Sequence, residues 1–444
     1  MNTLNQMREN RHMQYRGFIS LSTLLIIAIL LWFPERMWED DLYDPVALFL
    51  TWQQDPTTTM TIDWHTTPED GEREAILQYK WLGDPPYQAQ EWGWREVEAR
   101  THQFPHSERM IHRVELTGLK AGTEYRIRFG EDSKTYYFKT MPADLREPVR
   151  FVTGGDTSHE EHRVSAAVMN YDPDFVLWGG DLAYCNGDPA RVHLWYEWFD
   201  GVKENLISDN GRVIPVVVAI GNHELFGERR YRRQGLSDEE IEGIMKEHDL
   251  WEDKPTFFFD LFAFPGDPTY NVLDFADYMS LVILDTNHHM EVEGRQTDWL
   301  EEVLSGREGR SHIFPVYHRG AYPSHRSYSN SHAVQIRDNW VPLFEKYSVR
   351  TVFENHDHTY KRTHPIREGE INGNGVVYFG DGNWGREPRD GDSRDEWYID
   401  GFASALHGIL VTLQGPHQHF MVIDKDGEII DEYPRVLYGP LTRP

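Results

Sequence analysis

Four apolar runs in this chain each close on an acid or an amide: Arg150-Phe-Val-Thr-Gly-Gly-Asp156, Phe175-Val-Leu-Trp-Gly-Gly-Asp181, Val213-Ile-Pro-Val-Val-Val-Ala-Ile-Gly-Asn222 and Met279-Ser-Leu-Val-Ile-Leu-Asp285. A strand with no polar alternation is buried on both faces, so it needs a covering layer on each side, and this part of the chain is expected to be α/β. Two later runs, Ile313 to Tyr317 and Thr351 to Phe353, lead towards His318 and towards His356 and His358. Open α/β folds gather such strand ends at the carboxyl edge of the sheet. Asp156, Asp181, Tyr184, Asn222, His223, His318, His356 and His358 are therefore expected at one place. Taken alone, an Asp after an apolar strand is often only a helix cap. Carboxylate, amide and imidazole together instead suit two highly charged cations, and a shared carboxylate holds such ions about 3.5 to 4 Å apart for two-metal hydrolysis.

Length and charge narrow the remainder. At 444 residues the chain exceeds the roughly 250 to 300 residues of a single compact domain, so two folded units are expected. Its formal charge of −29 repels a nucleic-acid backbone, and no nucleic-acid partner is expected. The single cysteine, Cys185, closes no intramolecular disulfide.

Residues 1–40 read as a membrane anchor or signal segment. Phe18 to Phe33 is uncharged and apolar, and Arg8, Arg11 and Arg16 precede it. Its sixteen residues span roughly 24 Å as a helix, and the run ends without the small residues of a cleavage site. The basic end is expected in the cytoplasm, which places the rest of the chain outside, membrane-anchored, or secreted or periplasmic if the segment is cleaved. Residues 41–145 alternate in short strands, as in Met60 to Trp64 and Tyr125 to Phe129, the pattern of a small all-β sandwich. Val114-Glu-Leu-Thr-Gly-Leu-Lys-Ala-Gly-Thr-Glu-Tyr125 resembles the fibronectin type III pattern, with Tyr125 as corner tyrosine and Trp64 as core tryptophan. Residues 146–444 form the α/β part. Within it Ser237-Asp-Glu-Glu240 is a capping box for a helix to about His248, and Arg386 to Glu396 is a charged loop.

Five blocks, Gly-Gly-Asp156, Gly-Asp181-Leu-Ala-Tyr184, Gly-Asn222-His223-Glu224, Val316-Tyr-His318 and His356-Asp-His358, resemble in order and spacing the calcineurin-like metallophosphoesterases, and the tyrosine after the second aspartate resembles the purple acid phosphatase branch. The resemblance implies an α/β/β/α sandwich behind the β-domain, and a dinuclear hydrolase of phosphate monoesters in which hydroxide held by metal attacks phosphorus in line. It implies ferric iron at Asp156, Asp181, Tyr184 and His358, and a divalent iron, zinc or manganese at Asp181, Asn222, His318 and His356. His223 is then the acid at the leaving oxygen, and Glu224 orients its imidazole.

Ser158 and Asn355 depart from the family pattern. Asn355 stands where a glycine is usual, and asparagine suits that place if its φ is positive. His325 and Arg319 are expected to bind substrate, with His332 a competitor for His325 and Arg326 a second cation. A phosphodiesterase using the same two-metal site is the alternative activity. A non-catalytic fibronectin-type binding protein would lack ligands, and none of them is missing. The partner expected is a small phosphate ester. Its identity and the oligomeric state stay open.

Overall fold

The structure, a computed structural model, describes residues 42–434 apart from 72, 74, 82–92, 159–162, 228–230, 233–234, 249–255 and 381. The apolar N-terminal run lies outside the described residues, among which no helix is long and apolar enough to cross a membrane.

Two four-stranded sheets make the N-terminal sandwich. One runs Ala47–Thr51, Met60–Thr66, Met110–Leu116, Arg100–Gln103, and the other runs Arg95–Glu98, Ile76–Trp81, Glu124–Arg128, Thr135–Lys139. All their pairings are antiparallel. Trp64 is buried between the sheets and stacks on His112, with Phe129 at 4.8 Å on its other contact. The Lys120 backbone N–H donates to the Tyr125 hydroxyl at 2.9 Å, so the buried ring pins the turn before its own strand, as a corner tyrosine does.

The α/β part is built on two facing sheets. The first is six-stranded, ordered Val216–Val218, Phe175–Trp178, Val149–Gly154, His407–Gln414, His417–Asp424, Ile429–Tyr433. The second is seven-stranded, ordered Asn271–Phe275, Met279–Ile283, His312–Arg319, Thr351–Asn355, Val377–Gly380, Tyr360–Thr363, Ile399–Ala403. Neighbouring strands that carry the predicted site run parallel within each sheet. Alternate residues of one strand serve opposite layers. Phe151, Phe175 and Leu177 join Phe314, Val316 and Phe353 between the sheets, whereas Val152, Val176 and Trp178 pack outward on Trp195, Trp198 and Phe199 of the helix His193–Leu206. On the other side Val282, Tyr317 and Val352 meet Leu300, Ile336 and Trp340 beside the helices Arg295–Ser305 and Ser331–Asn339. The result is the α/β/β/α layering that the resemblance implies, with the unbroken apolar strands covered on both faces. The strand within the run Val213 to Asn222 is short, Val216–Val218, and begins just after Pro215, which can donate no ladder bond. The Ser237 capping box opens a helix over Asp238–Glu247 as expected.

Candidate metal centre

Where the parallel strands of both sheets end, two groups of donor atoms converge. In the first, the Tyr184 hydroxyl lies 2.9 Å from Asp156 Oδ1 and 3.2 Å from His358 Nε2, and that nitrogen is 3.1 Å from the same Asp156 oxygen. In the second, His318 Nε2 lies 3.0 Å from Asp181 Oδ2 and 3.0 Å from His356 Nδ1, and the three side chains offer ligand atoms all within 4.8 Å of one another. Donors at right angles around a cation with bonds of about 2.0 to 2.2 Å sit about 3 Å apart. Both groups meet that spacing, and both combine anionic oxygen with imidazole, so the residues present fit a two-cation site. Gly179 O holds His318 Nδ1 at 2.9 Å, which leaves Nε2 facing the group. Asn222 follows the strand Val216–Val218 at the same sheet edge and is half-buried.

The charges press in the same direction. Burial would lower the His318 pKa, but Asp181 and Asp156 together raise it to about 9. Burial would raise Asp181, yet His318 and His223 hold it well below the ordinary carboxylate range. Burial, with Asp156 and Asp181 added, pushes the Tyr184 phenol well up. Two buried carboxylates thus demand positive charge at this edge.

Backbone conformation is the cost of this convergence. Asp156, Ser158, Asp181, Tyr184, His356 and His358 all have positive φ, from 54° to 83°, a region that non-glycine residues enter only when their surroundings over-determine it. The positive φ lies not at Asn355 but at its neighbour His356, at 83°. The segment carrying His356 and His358 sends its two rings apart: one goes to the Asp181 group and the other to the Asp156 group, while the His356 N–H donates to Asp156 Oδ2 at 2.9 Å. Asn355 donates through Nδ2 to the Tyr317 carbonyl at 3.0 Å. Its side chain fills space left by three glycines, since a Cβ on Gly155, Gly179 or Gly382 would fall 2.5, 1.8 or 2.8 Å from an Asn355 side-chain atom.

Glu224 does not orient His223. Its carboxylate accepts the backbone N–H groups of Gly221, Asp181 and Leu182 at 2.7 to 2.8 Å, tying together the two loops that present Asp181 and His223. It is fully buried, and burial, with Asp181 added, lifts its pKa to about 7. The partner of His223 Nδ1 is Asn186 Oδ1 at 2.5 Å, a residue sequence reasoning missed. The His223 N–H donates to Asp181 Oδ1 at 2.7 Å, so the imidazole starts from a backbone fixed to a candidate ligand.

Cations rim the centre. Arg386 lies over the Tyr184 ring at 4.3 Å. Arg326 and Arg389 donate to the His356 carbonyl at 3.1 and 3.3 Å, and Arg319 donates to the Thr286 carbonyl at 2.9 Å. Arg386 and Arg389 belong to the segment expected only as a charged loop, and a loop's charges give no sequence signal of where it folds back. Of the two histidines weighed for substrate, His332 lines the cavity next to His356, whereas the His325 ring turns towards Asp392, 3.7 Å away.

Comparison with known proteins gives a consistent account. Residues 154–360 match the family model described as calcineurin-like phosphoesterase. Residues 45–140 match that described as purple acid phosphatase, N-terminal domain. An uncharacterized protein of Mycobacterium tuberculosis is 25% identical over 364 residues, covering 72% of this chain and 62% of the relative. Purple acid phosphatase 15 of Arabidopsis thaliana is 25% identical over 311 residues, covering 62% of this chain and 53% of the relative. The chain thus spans between about half and three fifths of the length of these curated relatives. A purple acid phosphatase from yellow lupin (Lupinus luteus) seeds superposes with a TM-score of 0.69 at 17% identity, covering 88% of this chain and 74% of that one, a likeness of fold.

Proposed function

Because the chain belongs to the purple acid phosphatase-like branch of the calcineurin-like metallophosphoesterases, a family of phosphoric ester hydrolases, we propose that it hydrolyses phosphate monoesters at a two-metal centre. The observation that carries this reading is the pair of donor groups spaced 2.9 to 3.2 Å at the shared sheet edge. Asp156, Tyr184 and His358 would hold one cation, for which the phenol favours ferric iron, and His318, His356 and Asn222 would hold a divalent one, with Asp181 available to both. Two bound cations supply charge for the phosphoryl oxygens and acidify water.

The chain's own residues do the remainder. Asp181 and Asp156 keep the ligand histidines facing the centre. Glu224 fixes the loop that carries His223, and Asn186 fixes the imidazole. His223 Nε2 lies 3.7 Å from Asp181 Oδ2, within reach of a leaving oxygen beside the centre, and it protonates that oxygen. Arg386 and Arg389 offset the negative charge of a bound ester. The N-terminal apolar run holds this domain at the outer face of a membrane, which fractionation of the full chain checks: its appearance in the soluble cytoplasmic fraction would remove that part.

The test is metal analysis of the purified protein together with a panel of phosphate esters. Two metal ions per chain and hydrolysis of monoesters that is lost on chelation are expected. Turnover of diesters alone, or tight binding of esters without turnover under any metal supply, would overturn the reading.

A further inference from the structure

A cavity of about 450 Å³ lies at the edge of the sheets opposite the candidate metal centre, within the roughly 300 to 1,000 Å³ of small-molecule sites. Arg350 lines it just before the strand Thr351–Asn355, and His417 lines it at the start of His417–Asp424. The strand Thr351–Asn355 delivers His356 to the centre from its other end, roughly 16 Å away at about 3.3 Å per residue. Pro365, Phe420 and Tyr433 give the cavity apolar walls, and the rings of Phe420 and Tyr433 are 6.4 Å apart. In a chain of formal charge −29, no aspartate or glutamate is among the described residues that line this cavity. Arg350 is held in place by neutral acceptors. Its Nη1 donates to the Pro416 carbonyl at 3.2 Å, and its Nη2 to the Ser311 and Pro416 carbonyls at 2.9 and 3.2 Å and to His312 Nδ1 at 3.3 Å. None of these bonds uses Nε, and none brings a negative charge. Burial alone lowers the Arg350 pKa, with no carboxylate contributing, so the guanidinium stays charged and uncompensated.

We infer that this cavity is a binding site, separate from the metal centre, for a small aromatic carboxylate. The charge sets the head group: one guanidinium balances one negative charge, which suits a carboxylate better than a dianionic phosphate, and its remaining N–H groups donate to the carboxylate oxygens. The walls set the body, since a flat apolar ring gains from burial against Phe420, Tyr433 and Pro365. The inference stands on this lining and does not depend on the phosphatase reading.

Equilibrium dialysis of the metal-loaded full chain tests it with 2-naphthoate and its neutral counterpart 2-naphthamide. One naphthoate per chain is expected, bound at least about tenfold more tightly than the amide, as a hydrogen bond between charged groups contributes. Chelation of the metals should leave this preference in place. Arg350→Met removes the charge and should bring the affinity ratio to within about threefold of one. Asn374→Asp, in the exposed loop before Val377, puts a carboxylate on the cavity's lining and leaves the Arg350 contacts alone. It should lower the ratio in the same way, and it decides the matter where Arg350→Met unfolds the turn that Arg350 holds. Equal affinities in the wild type, or binding of neither probe, overturn the site. A ratio that survives both variants overturns it as well, and so does naphthoate binding that chelation abolishes, which belongs to the metal centre. Hydrolysis of phosphate esters, followed separately, reports on the phosphatase reading, and a failed naphthoate site would leave that reading intact.

Discussion

Asn186 meets the His223 imidazole at 2.5 Å, side-chain oxygen to Nδ1, and so decides which ring nitrogen carries a hydrogen. An amide oxygen only accepts, so Nδ1 is the donor, and Nε2 is the atom left to give or take a proton on the side of Asp181. Asn186 itself has a φ of 66°, which a short polar residue tolerates better than most.

Loss of His223 should therefore spare the metals. His223→Ala is expected to keep both ions yet lower kcat by about 10² to 10⁴, the contribution of a positioned acid, with the deficit smallest for esters whose leaving groups need no proton. Asn186→Ala should lose about 10- to 100-fold, in the range of partners that orient a functional histidine, and Asn186→Asp should recover most of it because the acceptor remains. Metal content and a leaving-group series decide: a lost metal in His223→Ala, or a deficit equal for good and poor leaving groups, ends the role assigned to it.

The two donor groups should be separable. Tyr184→Phe in iron-containing protein is expected to lose the visible phenolate band, while Asn222→Ala and His356→Ala should release the divalent ion and regain part of their activity at high added metal. Metal analysis beside the visible spectrum checks this. An unchanged band in Tyr184→Phe would remove the phenolate assignment.

Much of this centre was legible because each ligand closes an apolar strand or follows it within a few residues, and parallel strands bring their ends to one edge. Position in the chain says less about direction. Glu224 is next to His223, which suggested contact, but successive side chains diverge, and the carboxylate clamps the backbone at Asp181 instead. Asn186 lies in a loop whose approach depends on left-handed turns at Tyr184 and at itself, and no periodicity encodes that. The place of Asn355 required three glycines from three loops, Gly155, Gly179 and Gly382, a tertiary fit that one sequence does not display. The sandwich was readable as β from its alternation.

A buried ion pair holds the loop after His318. Lys361 donates to Glu354 and to the Tyr322 carbonyl, and Glu354 also accepts the Tyr317 hydroxyl and the Ala321 N–H, each at 2.7 Å. Both charged side chains are fully buried. Lys361→Met is expected to cost about 3 to 5 kcal/mol, because it leaves a carboxylate alone in the interior, whereas the double variant Glu354→Gln, Lys361→Met should cost less since neither charge is stranded. Urea unfolding of the three proteins measures it, and a double variant no more stable than the single one would refute the argument.

The last prediction concerns acid, and it turns on His65. This residue is fully buried where the sandwich packs on the helix His193–Leu206, with its ring 4.6 Å from Phe199, 5.4 Å from Phe104 and 6.0 Å from Phe49. Among the described residues neither ring nitrogen has a hydrogen-bond partner. Burial first, and then the nearby Arg109, His112, Arg113 and His102, hold its pKa well below 6.5. A histidine depressed in the folded state is bound by fewer protons there than in the unfolded chain, so stability falls as the pH drops below the unfolded value of about 6.5, by at most about 1.4 kcal/mol per pH unit. Asp63 on the same strand works in the opposite direction, its carboxyl lifted by burial, against Arg113, to about 6, but it is present in both proteins and cancels from their difference. His65→Phe, which suits the aromatic surroundings, should therefore gain about 2 kcal/mol relative to wild type on going from pH 7.5 to pH 5. Urea unfolding at the two pH values measures the gain. Equal pH dependence in variant and wild type would show that His65 takes up its proton in the folded state, and the account of this interface would then have to be withdrawn.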